Sequence, residues 1–128
     1  MLGNFPLAAM LPVVDLDRAK KFYGGTLGLK QVEEHEDNEV MYQAAAGTTL
    51  GIYRRPTPTK ADHTAVGFMV DDLNKVMAYL RSKGVKFEEY DIPEMGLKTV
   101  KGVATMGDDR GAWFKDPDGN ILSIFQRG

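Results

Sequence analysis

The chain has 128 residues, 43% of them hydrophobic and 27% charged, with a formal net charge of -2. One compact domain is expected, without a basic footprint for nucleic acid or an anionic membrane. No apolar run approaches the roughly 20 residues of a membrane span, and the lack of cysteine excludes disulfides and thiolate metal sites.

The opening MLGNFPLAAMLPVVDLD has no basic start, so no signal peptide is expected. Without cysteine, a cytoplasmic location is the expectation. Residues 7–14 form a short apolar run that ends in Asp15-Leu16-Asp17. Either aspartate can cap a helix, and Ala19, Phe22, Tyr23 and Leu27 follow at helical spacing over 18–27. Gly28 suits the left-handed position that stops a helix. Residues 29–36 and 39–45 read as strands around the polar turn His35-Glu36-Asp37-Asn38, and 48–54 reads as a fourth strand. Pro56 and Pro58 withhold donors and stiffen the chain, which makes 55–62 a linker.

The pattern then recurs. Residues 64–70 read as a strand, and Asp72-Leu73-Asn74-Lys75 opens a helix with Leu73, Val76, Met77 and Leu80 on one face. Gly84 ends it, and 85–90 reads as the next strand. Asp15-Leu16-Asp17-Arg18-Ala19 matches Asp72-Leu73-Asn74-Lys75-Val76, and Gly28-Leu29-Lys30 matches Gly84-Val85-Lys86. Such a repeat points to two modules that complete one core. Segment 91–109, punctuated by Pro93, Gly96, Gly102 and Gly107, is expected to be the least regular, with a short strand within 100–106. It closes on AWFKDPDGNILSIFQ, a strand, a turn and a strand. In the turn, Pro117 presets φ, Asp116 and Asn120 bond local backbone, and Gly119 takes positive φ.

Two strand–helix–glycine–strand modules, the stretch LPVVDLDRAKKFYGGTLGLK and the terminal DPDGN hairpin resemble the vicinal-oxygen-chelate superfamily. That superfamily holds glyoxalase I, extradiol dioxygenases, fosfomycin-resistance enzymes and bleomycin-resistance proteins. The resemblance implies an α+β fold of two βαβββ modules with cupped, mostly antiparallel sheets. Module one spans about 5–55, the linker 55–62 and module two about 63–126. It also implies a homodimer, with modules pairing within a chain or across the dimer.

Family enzymes carry metal ligands at positions that match Ala8, Gly51 or Tyr53, His63 and Ser123. Only His63 keeps a usual ligand type. A first-row divalent ion needs three or more donors converging at about 2.0–2.2 Å. Alanine has none and a serine hydroxyl is a poor one, so no metal and no cofactor are expected.

Strand alternation places Met10, Tyr53, His63, Met69, Trp113, Ser123 and Phe125 on the implied cup face. Those seven are the candidate ligand-binding residues, with His63, Tyr53 and Ser123 as polar groups in an apolar, aromatic-edged lining. Trp113, Tyr53 and Phe125 could equally pack a filled core, and His63 could belong to the linker. The leading expectation is a metal-free binder of an apolar or aromatic small molecule. The alternatives are a lyase, isomerase or dioxygenase of the glyoxalase type, and an interaction subunit with a closed cup. The catalytic residues stay unassigned, since Glu94, Asp108 and Asp109 fall on the segment expected to be irregular and Arg110 stands at its end.

Overall fold

The computed structural model describes residues 1–36 and 38–128. Asp37, part of the expected polar turn, lies outside the described residues. The fold is mixed α and β, with one sheet of four strands and one of six. The chain divides into two compact units, Met1–Lys60 with Pro117–Gly119, and Ala61–Asp116 with Asn120–Gly128.

In the first unit, β1 (Ala9–Val13), β2 (Lys30–His35), β3 (Glu39–Gln43) and β4 (Thr49–Arg54) lie in the order β1-β4-β3-β2. The β1–β4 pair is parallel and the other pairs are antiparallel. Alternation sorts the two faces. Leu11, Val13, Val40, Tyr42, Leu50 and Ile52 are buried, while Met10 is 45% exposed. Strand β2 is exposed along its whole length, carries Lys30, Glu33, Glu34 and His35, and bulges between Gln31 and Glu33. A charged, bulged edge discourages pairing with another sheet.

Helix α1 (Leu16–Lys20) is capped by Asp15, whose carboxylate accepts the Arg18 N–H at 3.0 Å. The single helix expected over 18–27 is therefore corrected. After Lys20 the chain widens into a π-helical turn, Lys21–Thr26, in which the Leu27 N–H reaches the Phe22 carbonyl at 2.8 Å. Gly24 and Gly25, poor helix formers, sit in that turn. Tyr23 is fully buried there, 6.2 Å from the ring of Tyr42. Asp118 also belongs to this unit. Its Oδ1 accepts the Val14 N–H at 2.8 Å and pairs with Arg18 at 3.1 Å. Asp118, from the terminal DPDGN turn, thus anchors the end of β1 and the start of α1.

The second unit holds β5 (Thr64–Met69), α2 (Leu73–Ser82), β6 (Asp91–Ile92), β7 (Leu97–Val100), β8 (Val103–Met106), β9 (Asp109–Lys115) and β10 (Ile121–Gln126). The strand order is β5-β10-β9-β8-β7-β6, with β5 and β10 parallel. Asp72 caps α2 through the Lys75 N–H at 3.1 Å, the counterpart of Asp15. Leu73, Met77 and Leu80 form the buried face of α2, and Leu122, Ile124, Ala112 and Phe114 are buried in the sheet. Asp116 and Asn120 pin the hairpin between β9 and β10. Asn120 donates its N–H to Asp116 Oδ1 at 2.9 Å and its side-chain amide to Oδ2 at 2.8 Å, with both residues buried.

Two expectations for this unit are overturned. Residues 85–90 form no strand. They bridge to β9 at Phe87 and Phe114, and the Glu88 N–H bonds the Trp113 carbonyl at 2.8 Å. The outer edge of β9 is taken from Asp109 to Gly111 by β8, and Tyr90 bonds Thr99 through both its N–H and its C=O. Segment 91–109, in turn, is largely regular. It holds β6 and the hairpin β7–β8, whose two-residue turn Lys101-Gly102 has φ of 52° and 82°. Positive φ at both positions marks the tight hairpin turn that favours glycine. A Cβ on Gly102 would also come within 3.1 Å of Phe87 Cβ.

Candidate functional site

The open face of the second sheet is built by register. Ser123 sits between Gly67 on β5 and Trp113 on β9, and Phe125 sits between Met69 and Gly111. A Cβ on Gly67 would lie 2.7 Å from Ser123 Oγ, and one on Gly111 would meet Phe125 at 3.2 Å and the far edge of the Trp113 indole at 3.5 Å. The glycines thus clear room for side chains that lie across the sheet. Met69 is 63% exposed at the margin of this face.

Trp113 lines a recess of about 180 Å³ together with Asp62, His63, Thr64, Tyr90, Ile92 and Leu97 among others. Two contacts set its indole. The indole N–H donates to Thr64 Oγ1 at 3.0 Å, and the ring meets Tyr90 edge to face with centroids 5.8 Å apart. Such aromatic pairs are worth about 0.5–1.5 kcal/mol beyond area burial. Burial, and then the charge of Glu88, push the Tyr90 phenol above its ordinary range, so it stays neutral and can donate. His63 stands at the rim, exposed, and its Nδ1–H donates to the Thr64 carbonyl at 3.2 Å.

Thr64 reaches this face because of a bulge. Alternation places it with Val66 and Phe68, against the helix. The register, however, runs Ile121 to Thr64 and then Leu122 to Val66, which leaves Ala65 as an extra residue and turns Thr64 toward Trp113. Tyr90, Ile92 and Leu97 are recess residues that the sequence reading does not select. The aromatic–aliphatic alternation of Tyr90 and Ile92 is the one signal in the sequence that points to them.

Of the seven candidate residues, the structure brings His63 and Trp113 into one recess, and places Ser123, Phe125 and Met69 on the same sheet face. Met10 and Tyr53 belong to the first unit. There, Met10 lies over Gly51 together with Met41, and Tyr53 pairs with Pro12 and Glu39. Among the acidic and basic candidates, Asp109 and Arg110 lie in β9 rather than in a loop. Asp109 bonds the Gly128 N–H and pairs with Arg127 at 3.6 Å. Arg110 turns to α2, where it donates to Asn74 at 2.8 Å.

Among the described residues, no three His, Asp or Glu side chains gather as a metal ion requires. Ala8 offers no donor, and Ser123 Oγ lies against Gly67. The side chains at the implied ligand positions therefore do not fit a divalent metal. No helix among the described residues is long and apolar enough to cross a membrane.

Solved structures with this fold include a glyoxalase/bleomycin resistance protein from Streptomyces sp. CB03234, 25% identical at a TM-score of 0.65 over 90% of this chain and 94% of that one. An antibiotic-binding protein from the same organism is 23% identical at a TM-score of 0.69, over 97% of this chain and 98% of that one. A fosfomycin resistance protein from Listeria monocytogenes is 16% identical at 0.70, over 97% and 91% of the two chains. No curated protein matches the sequence. The family model of the Glyoxalase/Bleomycin resistance protein/Dioxygenase superfamily matches residues 7–124, and the chain belongs to that superfamily.

Proposed function

We propose that this protein binds an aromatic small molecule, without a metal, by seating one ring against Trp113. The carrying observation is the recess itself, an apolar cavity of about 180 Å³ with an indole and a phenol fixed edge to face in its wall. A cavity of roughly 150 Å³ accepts benzene, so this volume suits one ring of a ligand whose remainder lies along Ser123, Phe125 and Met69. The Tyr90 hydroxyl and the free edge of His63 supply the polar contacts that orient it. The superfamily includes antibiotic-binding and resistance proteins among its structural relatives, which supports a binding role. Sequestration needs only affinity. A reaction would need an acid–base pair or a metal beside the ring; Asp62 and His63 both line the recess, but among the described residues no hydrogen bond joins them, since the His63 ring bonds the Thr64 carbonyl instead.

A homodimer is part of the same proposal. Leu2, Phe5 and Leu7 are 77%, 60% and 88% exposed, and such an apolar segment is suited to cover by a second copy. Light scattering tests this, and a monomer at micromolar concentration would remove it.

Trp113 is the chain's one tryptophan, so its emission reports the recess directly. Saturable quenching by aromatic antibiotics or conjugated metabolites is expected, and calorimetry on the hits should show Trp113→Ala weakening binding by about ten- to a hundredfold. His63→Ala should cost less, because its ring stands at the rim. If aromatic compounds leave the emission unchanged up to their solubility limit, the reading fails.

A further inference from the structure

The opposite face of the second sheet carries a separate feature. Where β7 and β8 extend the sheet beyond α2, a groove of about 590 Å³ opens between the hairpin and the helix. Arg81 and Asn74 border it from α2. Lys98, Lys101, Thr105 and Arg110 border it from the strands, with Met77, Val100 and Val103 as its apolar floor. Four cations thus face one groove whose lining holds no carboxylate, in a chain whose net charge is -2.

The two guanidinium groups are positioned by neutral acceptors. Arg81 donates to the Lys101 carbonyl at 3.2 Å and lies 5.2 Å from the centre of the Phe87 ring. Arg110 donates to Asn74 Oδ1 at 2.8 Å. Each guanidinium carries five N–H donors, so these bonds orient the group and leave most of its donors for a ligand. Among the described residues, none of the four cations forms a salt bridge. Glu89 lies close enough to Arg81 to feel its charge, but its carboxylate accepts the Gly102 N–H at 2.8 Å, outside the groove lining.

We propose that this groove is a second ligand site, which takes a small organic oxyanion bearing two or more negative charges, such as a phosphate ester or a polycarboxylate. Planar, forked guanidinium groups match either oxyanion in bidentate fashion, and two lysines add mobile point charges. The volume falls in the range of small-molecule sites, about 300–1,000 Å³. A nucleic acid is disfavoured, since the acidic chain, of pI about 5.7, would repel the rest of its backbone.

The test is a titration of the full chain at low salt with inorganic pyrophosphate and, in a second arm, citrate, followed by backbone-amide NMR. Shifts are expected on both sides of the groove, at residues 98–105 and at Asn74 and Arg81, with little change at the Trp113 indole. Response to both probes assigns general oxyanion recognition, and response to pyrophosphate alone assigns a phosphate ester. Raising the salt should weaken binding, because the charges are exposed. The double substitution Arg81→Gln with Arg110→Gln should cost at least about tenfold in affinity. Arg81 also packs on Phe87, so Lys98→Gln serves as the second variant if the double one loses its fold by circular dichroism, with a loss of several-fold expected. No shifts at millimolar probe, shifts confined to the Trp113 recess, or unchanged affinity in the folded variants would overturn the proposal. Failure of the aromatic-ligand reading leaves these outcomes unaffected, since the two sites lie on opposite faces.

Discussion

The two units share a register, and one row of side chains shows how differently they use it. In the first unit the row is Met10, Gly51 and Met41, and in the second it is Gly67, Ser123 and Trp113. The first row has its smallest residue in the centre, and the sulfur ends of both methionines fold over Gly51. Unbranched and adaptable, they fill the gap they flank. The second row ends in a rigid indole that cannot fold over its neighbour. Thr64 and Tyr90 hold it across the sheet, and a recess stays open beside it. The same strand plan therefore gives a covered face in one unit and a concave one in the other.

The outer edges differ in the same direction. Strand β3 is paired by β2 from Glu39 to Gln43, whereas β9 shares its edge between Phe87 and the inserted hairpin β7–β8. Freed from a full ladder, residues 88–92 carry Tyr90 and Ile92 to the recess. The groove of Arg81 and Arg110 owes its far wall to the same hairpin.

Phe114→Ala should break this comparison most severely. Phe114 is fully buried, meets Phe87 edge to face at 5.8 Å and forms the bridge that ties Phe87 to β9. A loss of about 3–5 kcal/mol is expected in denaturant unfolding, with faster hydrogen exchange at Glu88 than in β3. Asp116→Ala should cost less, about 1–3 kcal/mol, by stripping buried Asn120 of both its bonds to the carboxylate. Unfolding followed at Trp113, on the adjoining strand, would register it. If the midpoint stays in place, the bonds of Asn120 to the Asp116 carboxylate do not hold the hairpin, and its backbone ladder and packing do.

Tyr42→Phe sharpens the comparison from the first unit and should act in the opposite direction. The Tyr42 hydroxyl is buried with no hydrogen-bond partner among the described residues, and burial raises its pKa. Removing the hydroxyl should stabilise the chain by up to about 1 kcal/mol. A destabilised variant would show that the hydroxyl has a partner.

The smallest effect concerns pH. The folded Tyr90 phenol has a raised pKa, so its contribution to stability is complete below the unfolded phenol's value and is lost as pH rises through the folded one. Alkaline titration of phenolate absorbance should therefore lose a late-ionising group in Tyr90→Phe, with the Trp113 emission changing over the same late step in the parent chain. An early Tyr90 step would contradict the burial of that ring.

Much of the architecture was legible from local chemistry. Asp15 and Asp72 announce helix starts because a carboxylate can satisfy orphan N–H groups only there. Gly28 and Gly84 mark helix ends through positive φ, and strict alternation sorts Leu11 from Met10. These signals need only neighbours in sequence. The recess was legible only in part. Trp113 and His63 stand out as residue types, but the bulge that turns Thr64 to the indole depends on how β5 meets β10. Tyr90 reaches Trp113 because Thr99, nine residues on, takes both of its backbone groups. The cationic groove joins Arg81, Lys98 and Arg110 from three separate elements, and no spacing along the chain encodes it. Caps, turns and strand faces were thus determined by the sequence, because short-range hydrogen bonding and periodicity decide them. Tertiary structure alone decided which edge of β9 was free and what gathered beside it, because strand pairing is a competition among segments distant in the chain.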